Sequence, residues 1–313
     1  RVGVVGTGAS AVQLVPALAP RVSQLVVFQR TPSWVLPRSD RAWSSRRQQA
    51  YARVPGLERL QRWRTYARLE TRVLGFGDAG TRARELVERQ AREHLAAAVP
   101  DPVTRAALTP DYALGCKRVL LSDDYWPTFT RPNVQLVTSP IERVEPRDIV
   151  TADGQAHDLD ALVLATGFDV GGSFERMTIT GLRGHTLDQT WSSSRITNLG
   201  ITVPGFPELY LLLGPNTALG HNSVLLMIES AIDYVLAALH RADEVGAQVV
   251  TAAAASRFAR WVRERTRHTV WGSGCQSWYL DEHGENTAIW PASTVRYRFA
   301  TRSVRAEDFE PAR

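Results

Sequence analysis

The sequence predicts an α/β fold, and two neighbouring stretches near its start carry that prediction. Residues 2–5 form a short valine-rich apolar run, which is typical of a buried parallel strand. A glycine-rich turn, Gly6-Thr-Gly-Ala-Ser-Ala11, follows and leads into a helical pattern that begins at Val12. Residues 25–28, Leu-Val-Val-Phe, give a second buried strand. Strand, glycine turn, helix and strand in this order predict a Rossmann-like nucleotide-binding unit.

The glycine turn has the G-x-G-x-x-A spacing of a dinucleotide site. Glycine at the first position allows the tight turn, and glycine at the second position lets a pyrophosphate approach the backbone. The helix that follows offers unpaired N–H groups and the positive end of its dipole. We therefore expect the pyrophosphate of a cofactor to bind at Gly6, Thr7, Gly8, Ala9 and Ser10.

The end of the second strand predicts which nicotinamide cofactor binds. An acidic residue about 20 positions after the glycine turn would hold the ribose of NAD. Here the strand runs into Gln29, Arg30 and Thr31, and the nearest acidic residue is Asp40. A guanidinium together with a hydroxyl suits the 2′-phosphate of NADP. The residues therefore favour NADP(H).

Length and composition exclude several classes of protein. The 313 residues suffice for two domains, or for one domain with insertions. No apolar run approaches the roughly 18–20 residues of a membrane helix, and no signal peptide opens the sequence. Cys116 and Cys275 form no CxxC motif, which argues against a redox dithiol and fits a cytoplasmic location. Because Arg1 stands one residue before a core strand, we expect the sequence to be the downstream part of a longer polypeptide.

Residues 38–94 are rich in arginine, with fourteen Arg against seven Asp or Glu. Nucleic-acid binding is one interpretation of this charge, but no recognition motif accompanies it. Helical patterns at 46–53, 57–74 and 81–99 favour a solvated helical surface instead. We therefore expect no nucleic-acid partner.

Short strands and two longer helices are predicted for the rest of the chain. The strands lie at residues 119–121, 134–137, 141–144, 159–168 and 209–213. The last two are predicted to be buried, and the strand at 159–168 breaks at Thr166-Gly167. A hairpin is expected around Asp153-Gly154. A glycine-punctuated loop, 214–223, opens a helix from about Ser223 to Ala242, which Asn222 or Ser223 can cap. The apolar stripe of this helix is predicted at Val224, Ile228, Ala231, Val235 and Leu239. A second helix covers roughly 254–267.

Five stretches, in a fixed order, resemble one known family. They are Gly6-Thr-Gly-Ala-Ser-Ala11, Val27-Phe-Gln-Arg-Thr-Pro32, Cys116-Lys-Arg118, Leu164-Ala-Thr-Gly-Phe168 and Gly214-Pro-Asn-Thr-Ala-Leu-Gly-His-Asn-Ser223. As an ordered set they resemble the class B flavoprotein monooxygenases, and most closely the Baeyer–Villiger monooxygenases. The resemblance runs from Arg1 to about Arg302.

The resemblance implies an FAD-binding domain that is split by an NADP(H)-binding domain with a helical insertion. Residues 1–38 and 116–158 then correspond to the Rossmann-like NADP(H)-binding domain, and residues 39–115 to the helical insertion. Residues 159–313 correspond to the returning C-terminal half of the FAD-binding domain. The family's N-terminal FAD-binding segment and its fingerprint are absent from the sequence. A missing N-terminal FAD-binding segment is therefore an expected partner.

The resemblance also implies a reaction. NADPH reduces FAD, O₂ adds at flavin C4a, and the resulting peroxyflavin inserts one oxygen atom into a small-molecule ketone, which gives an ester or a lactone. Arg118 matches the family's catalytic arginine, whose permanent positive charge stabilises the negatively charged peroxyflavin. Lys117 matches the lysine that binds the 2′-phosphate of NADP, and so complements Arg30.

Further residues match cofactor positions of the family. Thr166, Gly167, Asn222 and Ser223 correspond to FAD-binding positions, and the dipole of the helix after Ser223 would stabilise the reduced flavin. Trp278 resembles the tryptophan that borders the nicotinamide and the substrate pocket.

These assignments have structural alternatives. Arg118 could cap a strand, Lys117 could be an ordinary surface residue, and Trp278 could belong to the core. The helix after Ser223 could be an ordinary capped helix. His221 suits acid–base chemistry, but its place on a loop before a helix favours a structural role. The sequence shows no Ser–His–Asp arrangement and no metal-ligand spacing.

Three functions stay open on the sequence. The first is Baeyer–Villiger oxidation by an FAD- and NADPH-dependent monooxygenase. The second is N- or S-oxygenation by a flavin-containing monooxygenase. The third, of another class, is a truncated fragment that binds NADP(H) without catalytic activity.

Overall fold

A computed structural model describes residues 1–77, 80–168 and 177–312. The chain divides into two compact units. The first unit comprises residues 1–43 and 83–168, and the second comprises residues 44–82 and 169–313. Residues 78–79 of the predicted insertion, and residues 169–176 and 313 of the predicted 159–313 segment, lie outside the described residues.

Helices follow one another between residues 45 and 107, and strands follow one another between residues 134 and 164. The strands are β1 (Val2–Val5), β2 (Leu25–Phe28), β3 (Val35–Leu36), β4 (Leu120–Leu121), β5 (Val134–Val137), β6 (Ile141–Val144), β7 (Asp148–Thr151), β8 (Ala156–Asp158), β9 (Ala161–Leu164), β10 (Thr202–Val203), β11 (Phe206–Tyr210), β12 (Gln248–Val250) and β13 (Phe309–Pro311). The α-helices are α1 (Ala9–Leu18), α2 (Ser45–Arg53), α3 (Leu57–Glu70), α4 (Thr81–Ala98), α5 (Pro102–Ala107), α6 (Tyr125–Thr128), α7 (Leu187–Trp191), α8 (Leu225–Val245), α9 (Ala252–Arg267) and α10 (Thr294–Ala300). Within the described ranges, none of the helices has the length and apolar character needed to cross a membrane.

A four-stranded parallel sheet forms the centre of the first unit. Its strand order is β5-β2-β1-β9, and Val4 of β1 pairs with Val27 on one side and Val163 on the other. β2 is buried along its whole length, as its unbroken apolar run predicts. Val15 of α1 and Trp126 of α6 join Val4 and Val27 in one core. The α/β class and the Rossmann-like unit are thus confirmed.

A small antiparallel sheet packs with other residues of β2. β6, β7 and β8 pair in that order, and Ile149 of β7 lies in one cluster with Val26 and Phe28. Gly154 turns the chain between β7 and β8 with φ of +81°. The predicted hairpin is confirmed, since glycine adopts this conformation without strain.

Strand β9 forms one edge of the parallel sheet, beside β1. The sequence predicts it as a buried strand, and this is wrong at Leu164, which is 70% exposed. The predicted domain boundary falls before residue 159, whereas the compact unit that contains β9 runs to residue 168. The assignment of domains to cofactors stays a prediction.

Helix α8, of 21 residues, is the longest element of the second unit among the described residues. The predicted apolar stripe is rotated by about one residue, because the buried positions are Met227, Ser230, Ala231, Tyr234 and Ala238. This rotation puts Met227 and Tyr234 into one core with Phe258 of α9 and Tyr297 of α10. Leu239, a predicted core position, is 43% exposed.

Two predicted boundaries of the second unit are wrong. β11 ends at Tyr210, and Leu212 and Leu213 beyond it are 43% and 49% exposed. Helix α8 begins at Leu225, and its N-cap residue makes no side-chain capping bond. The Ser223 hydroxyl oxygen still accepts a hydrogen bond from the Leu225 N–H at 3.3 Å, one position before the cap.

Candidate functional site

The carboxyl ends of the parallel strands bring three of the predicted loops to one edge of the first unit. Residues 6–10 follow β1, residues 29–31 follow β2, and Thr166-Gly167 follows β9. The Gly6 N–H donates to the Phe28 carbonyl at 3.0 Å, so the glycine turn starts directly on the strand ladder. In open α/β sheets this edge is where ligands bind.

Glycine is required at position 6 and serves a different purpose at position 8. Gly6 has φ of +115°, and a Cβ there would lie 2.4 Å from the Ala165 carbonyl oxygen. Gly8 has φ of −78°, and no heavy atom lies within 4 Å of its Cβ position. The first glycine therefore permits close packing against the end of β9. The second leaves open space beside the start of α1.

Helix α1 begins without a side-chain cap. Gly8 occupies the N-cap position, no side chain accepts from the first-turn N–H groups, and the first turn holds no acidic residue. Ala9 and Ser10 are both exposed. Their N–H groups and the positive end of the helix dipole therefore lack an anionic partner among the residues that the structure describes. A phosphate group is the ligand that such a helix start prefers.

Thr7 ties the glycine turn to the loop after β2. Its hydroxyl donates to the Thr31 carbonyl at 2.6 Å, and the Ser33 hydroxyl donates to the Thr7 carbonyl at 2.8 Å. Thr7 is 8% exposed, so its side chain is engaged with the chain. The two bonds hold Arg30 and Thr31 beside the glycine turn.

Arg30 and Lys117 form a pair of cations that no carboxylate neutralises. Burial lowers the pKa of Lys117, and the Arg30 guanidinium lowers it further, against a smaller opposing effect of Asp111. In the part of the chain that the structure describes, neither cation has a carboxylate oxygen within 4.0 Å. The pair is therefore electrostatically prepared for an anion.

Tyr112 lies between these two cation-bearing segments. The Lys117 ammonium is 4.8 Å from the centroid of the Tyr112 ring. The Tyr112 hydroxyl donates to the Pro32 carbonyl at 3.0 Å, and the Trp34 indole N–H donates to the Tyr112 carbonyl at 2.8 Å. Burial raises the pKa of Tyr112 to about 12, so the hydroxyl keeps its proton. Tyr112 lies in no local motif, so the sequence does not single it out.

Arg118 is exposed, one residue beyond Lys117 in the segment that leads into β4. Among residues 1–77, 80–168 and 177–312 it forms no hydrogen bond and no ion pair. The strand-cap alternative for Arg118 therefore finds no support in the structure. Thr166 and Gly167 are exposed as well, and Gly167 has φ of +97°.

In the second unit, Asn222 and Ser223 precede helix α8. The Asn222 amide donates to a Glu70 carboxylate oxygen at 2.8 Å, and its Oδ1 accepts from the Ser223 N–H at 2.9 Å. The predicted FAD-binding side chain of Asn222 is thus engaged within the unit, whereas Ser223 is exposed.

Glu70, at the end of α3, fastens this loop to the start of α10. It accepts hydrogen bonds from the Thr294 hydroxyl at 2.6 Å and from the Val295 N–H at 3.3 Å. Burial acts to raise the pKa of Glu70, but the bonds from Thr294, Asn222 and Val295 outweigh it and lower the pKa. Burial also lowers the pKa of His221. The Glu70 carboxylate, 3.5 Å from the His221 Nε2, acts in the opposite direction, but burial has the larger effect. At neutral pH an ionised Glu70 therefore faces a neutral His221.

Trp278 is 51% exposed, with its ring centroid 4.4 Å from that of Tyr279. This exposure disagrees with the core-packing alternative for Trp278. Within the described ranges, no group of three or more His, Cys, Asp or Glu residues could hold a metal ion.

The predicted site residues divide between the two units. The first unit contains Gly6, Thr7, Gly8, Ala9, Ser10, Arg30, Thr31, Lys117, Arg118, Thr166 and Gly167. The second unit contains Asn222, Ser223 and Trp278.

Known proteins are similar to this chain along its whole length. A Baeyer–Villiger monooxygenase of Streptomyces coelicolor is 40% identical over 317 residues, which cover 100% of this chain and 61% of the relative. A Baeyer–Villiger monooxygenase of Pseudomonas aeruginosa is 40% identical over 313 residues, which cover 99% of this chain and 59% of the relative. No family model matches the chain.

Solved structures show the same similarity. A steroid monooxygenase with NADP bound has a TM-score of 0.81 at 30% identity, over 96% of this chain and 64% of that one. The cyclohexanone monooxygenase of Rhodococcus sp. Phi1 with NADP⁺ bound has a TM-score of 0.84 at 26% identity, over 99% of this chain and 66% of that one. OTEMO in complex with FAD and NADP has a TM-score of 0.83 at 27% identity, over 99% of this chain and 66% of that one.

The fold and these similarities define a relative of the flavin-dependent monooxygenases. More particularly, the chain is homologous to the Baeyer–Villiger monooxygenases, and the resemblance seen in its motifs is confirmed. The chain spans about 60% of the length of the curated relatives that it matches.

Replacing each glycine of the turn by alanine should separate folding from binding. Gly6→Ala forces a Cβ against the Ala165 carbonyl at a positive φ, so we expect it to lower the free energy of unfolding by about 2–4 kcal/mol. Gly8→Ala should change that free energy by less than about 0.5 kcal/mol and weaken NADP⁺ binding roughly tenfold, because its methyl group occupies the open space. Denaturant unfolding and calorimetric titration measure the two effects. Wild-type affinity in Gly8→Ala would contradict the pyrophosphate assignment.

The depressed pKa of Glu70 predicts a specific loss of stability in acid. A carboxyl whose pKa is lowered on folding from its usual 4.5 stabilises the fold above that pH, and this contribution is lost as the pH falls below it. We expect Glu70→Gln to cost about 1–3 kcal/mol at pH 7 and to flatten the dependence of unfolding free energy on pH below about 4.5. Glu229→Gln is the control, because this exposed carboxylate bonds only Arg62 among the described residues and should cost less than about 1 kcal/mol. Parallel pH profiles for wild type and Glu70→Gln would contradict the assignment.

Proposed function

We propose that this chain is the NADP(H)-binding part, and part of the FAD-binding part, of a monooxygenase. Its proposed reaction inserts one oxygen atom of O₂ into a small ketone and gives an ester or a lactone. The observation that carries the proposal is the unneutralised pair Arg30 and Lys117, beside the uncapped start of α1 at the carboxyl edge of the sheet. The homology to Baeyer–Villiger monooxygenases supports it.

The residues of the first unit fit NADP(H). The pyrophosphate would bind at the start of α1, where Gly8 leaves space and no described residue gives the N–H groups of Ala9 and Ser10 an anionic partner. The 2′-phosphate would bind between Arg30 and Lys117. NAD(H) carries no phosphate at that place, so these cations would favour NADP(H).

The second unit fits FAD less completely. Bound FAD supplies hydride acceptance from NADPH and the activation of O₂. Asn222 would hold the loop through Glu70, and the exposed Ser223 would meet the cofactor near the positive end of the α8 dipole. In the first unit, we propose Thr166 and Gly167, exposed after β9, as FAD-binding residues because they match the family's motif. A separate N-terminal FAD-binding segment would complete the site.

Arg118 is the proposed catalytic residue. Its guanidinium stays protonated at any working pH and donates several hydrogen bonds. Because no described residue pairs with it, it can stabilise negative charge that develops on the reacting oxygen without giving up a proton. The half-exposed ring of Trp278 would border the nicotinamide and the substrate.

One other class of function stays open. In it, the chain would bind NADP(H) without flavin and without catalytic activity. N- or S-oxygenation stays open as a variant of the same chemistry, and a preference for thioethers or amines over ketones would mark it.

Residues 1–313 expressed alone should bind NADP⁺ and show no flavin absorption. The glycine turn after β1 is assigned to NADP(H), and the ADP part of FAD needs a strand–glycine turn–helix of its own. A visible spectrum after incubation with FAD and gel filtration, together with calorimetric titration of NADP⁺, measures both properties. Stoichiometric FAD in the monodisperse chain would show that Gly6–Ala11 serves FAD instead.

Arg118→Ala should uncouple the reaction in the protein at its natural length. We expect NADPH to reduce the flavin at a near wild-type rate, because hydride transfer does not need this cation. Ketone oxygenation should fall by roughly 10²–10³, the usual effect of removing one donor to a developing oxyanion, and hydrogen peroxide should appear instead. Anaerobic reduction, ester analysis and a peroxide assay measure the three quantities.

Arg21→Ala is the matched control, since Arg21 is an exposed arginine of the same unit that lies between α1 and β2, away from the carboxyl edge. It should leave all three quantities unchanged. Wild-type coupling of NADPH to ester in Arg118→Ala would reject the catalytic role.

A further inference from the structure

We propose that Tyr112 is a specificity-determining positioning residue for the 2′-phosphate of NADP(H), because it holds both Lys117 and the loop that carries Arg30. The inference rests on the proposed function, since it takes NADP(H) to bind at the carboxyl edge of the first unit.

The Tyr112 ring holds the Lys117 side chain without neutralising it. The ammonium lies 4.8 Å from the ring centroid, within the roughly 6 Å range of a cation–π contact. A carboxylate partner would compete with the phosphate for the same charge. An aromatic face restricts the ammonium and leaves its full charge for the ligand.

The same residue anchors the loop after β2. The Tyr112 hydroxyl donates to the carbonyl of Pro32, two residues after Arg30, and its own carbonyl accepts from the Trp34 indole N–H. Both bonds join segments about 80 positions apart in sequence, with separations of 80 and 78 residues. One residue therefore sets the distance between the two cations.

The surroundings of Tyr112 keep it in place. Trp34 is 2% exposed and packs in one cluster with Ala91 of α4 and Leu114, and Tyr112 packs against this cluster. The Arg92 guanidinium lies 5.3 Å from the Trp34 ring centroid. The ring that faces Lys117 is thus held by a core and not by a mobile loop.

The loss of Tyr112 should affect the affinities for NADP⁺ and NAD⁺ differently if the residue determines specificity, and equally if its role is only structural. Loss of a structural tyrosine would weaken NADP⁺ and NAD⁺ equally, because both share the pyrophosphate site. Loss of the proposed role would weaken NADP⁺ alone, because NAD⁺ makes no contact through a 2′-phosphate. The ratio of the two dissociation constants therefore isolates the role.

The test is calorimetric titration of the protein at its natural length with NADP⁺ and with NAD⁺. Tyr112→Leu removes the aromatic face and should lower the preference for NADP⁺ roughly three- to tenfold, with NAD⁺ affinity unchanged. Tyr112→Phe keeps the face and loses only the bond to Pro32, so it should retain more of the preference. In a Lys117→Ala background, Tyr112→Leu should change the preference only by the smaller amount that Tyr112→Phe changes it in the wild-type protein, because only the bond to Pro32 is then left to lose.

The other outcomes overturn the inference in distinguishable ways. Equal loss of NADP⁺ and NAD⁺ affinity in Tyr112→Leu would make the residue structural. An undiminished effect in the Lys117→Ala background would show that it does not act through Lys117. A wild-type protein that binds NADP⁺ and NAD⁺ equally would reject the proposed 2′-phosphate site itself.

Discussion

The close approach of Gly6 to the end of β9 is the contact on which the nucleotide site depends. A Cβ at residue 6 would lie 2.4 Å from the Ala165 carbonyl oxygen, so the two backbones touch where β1 and β9 end. Parallel pairing of these strands brings the loops that follow them to the same edge. The Thr7 hydroxyl then ties in the loop after β2 through the Thr31 carbonyl. The lack of a side chain at Gly6 and the hydroxyl of Thr7 thus position the loops that follow β1, β2 and β9.

In the second unit, a charged side chain, Glu70, holds the loop before α8. Residues 216–218 of the loop before α8 form backbone hydrogen bonds with residues 287–290, and Glu70 fixes the end of the loop by accepting bonds from Asn222, Thr294 and Val295. The hydrogen bonds from these donors stabilise the ionised carboxylate more than burial destabilises it, so the pKa of Glu70 is lowered. Neutral His221 lies beside the carboxylate without adding a buried positive charge. A half-buried carboxylate that is surrounded by donors thus fixes the loop before α8 to the start of α10.

Local patterns predicted the parts of the fold that local physics determines. The apolar runs of β1 and β2 and the G-x-G-x-x-A spacing need no distant partner to be recognised, and the Gly154 hairpin depends on one φ angle. The end of β11 and the buried face of α8 depend on which side chains the core accepts, so the sequence placed them wrongly. Tyr112 and Glu70 escaped prediction for the same reason. Their partners lie 80 and 152 residues away along the chain, and no spacing rule reaches that far.

The charges of Arg30 and Lys117 give a physical reason why the proposed site would prefer a cofactor with a 2′-phosphate. In the free protein the two charges repel and Lys117 is partly buried, and both effects lower its pKa. In the proposed site, a dianionic 2′-phosphate between the two cations would offset their repulsion, whereas a ribose hydroxyl would leave the repulsion in place. The aromatic face of Tyr112 would contribute to this preference because it restrains the ammonium without cancelling its charge. Selectivity would then come from a repulsion in the free protein that NADP(H) relieves and NAD(H) does not.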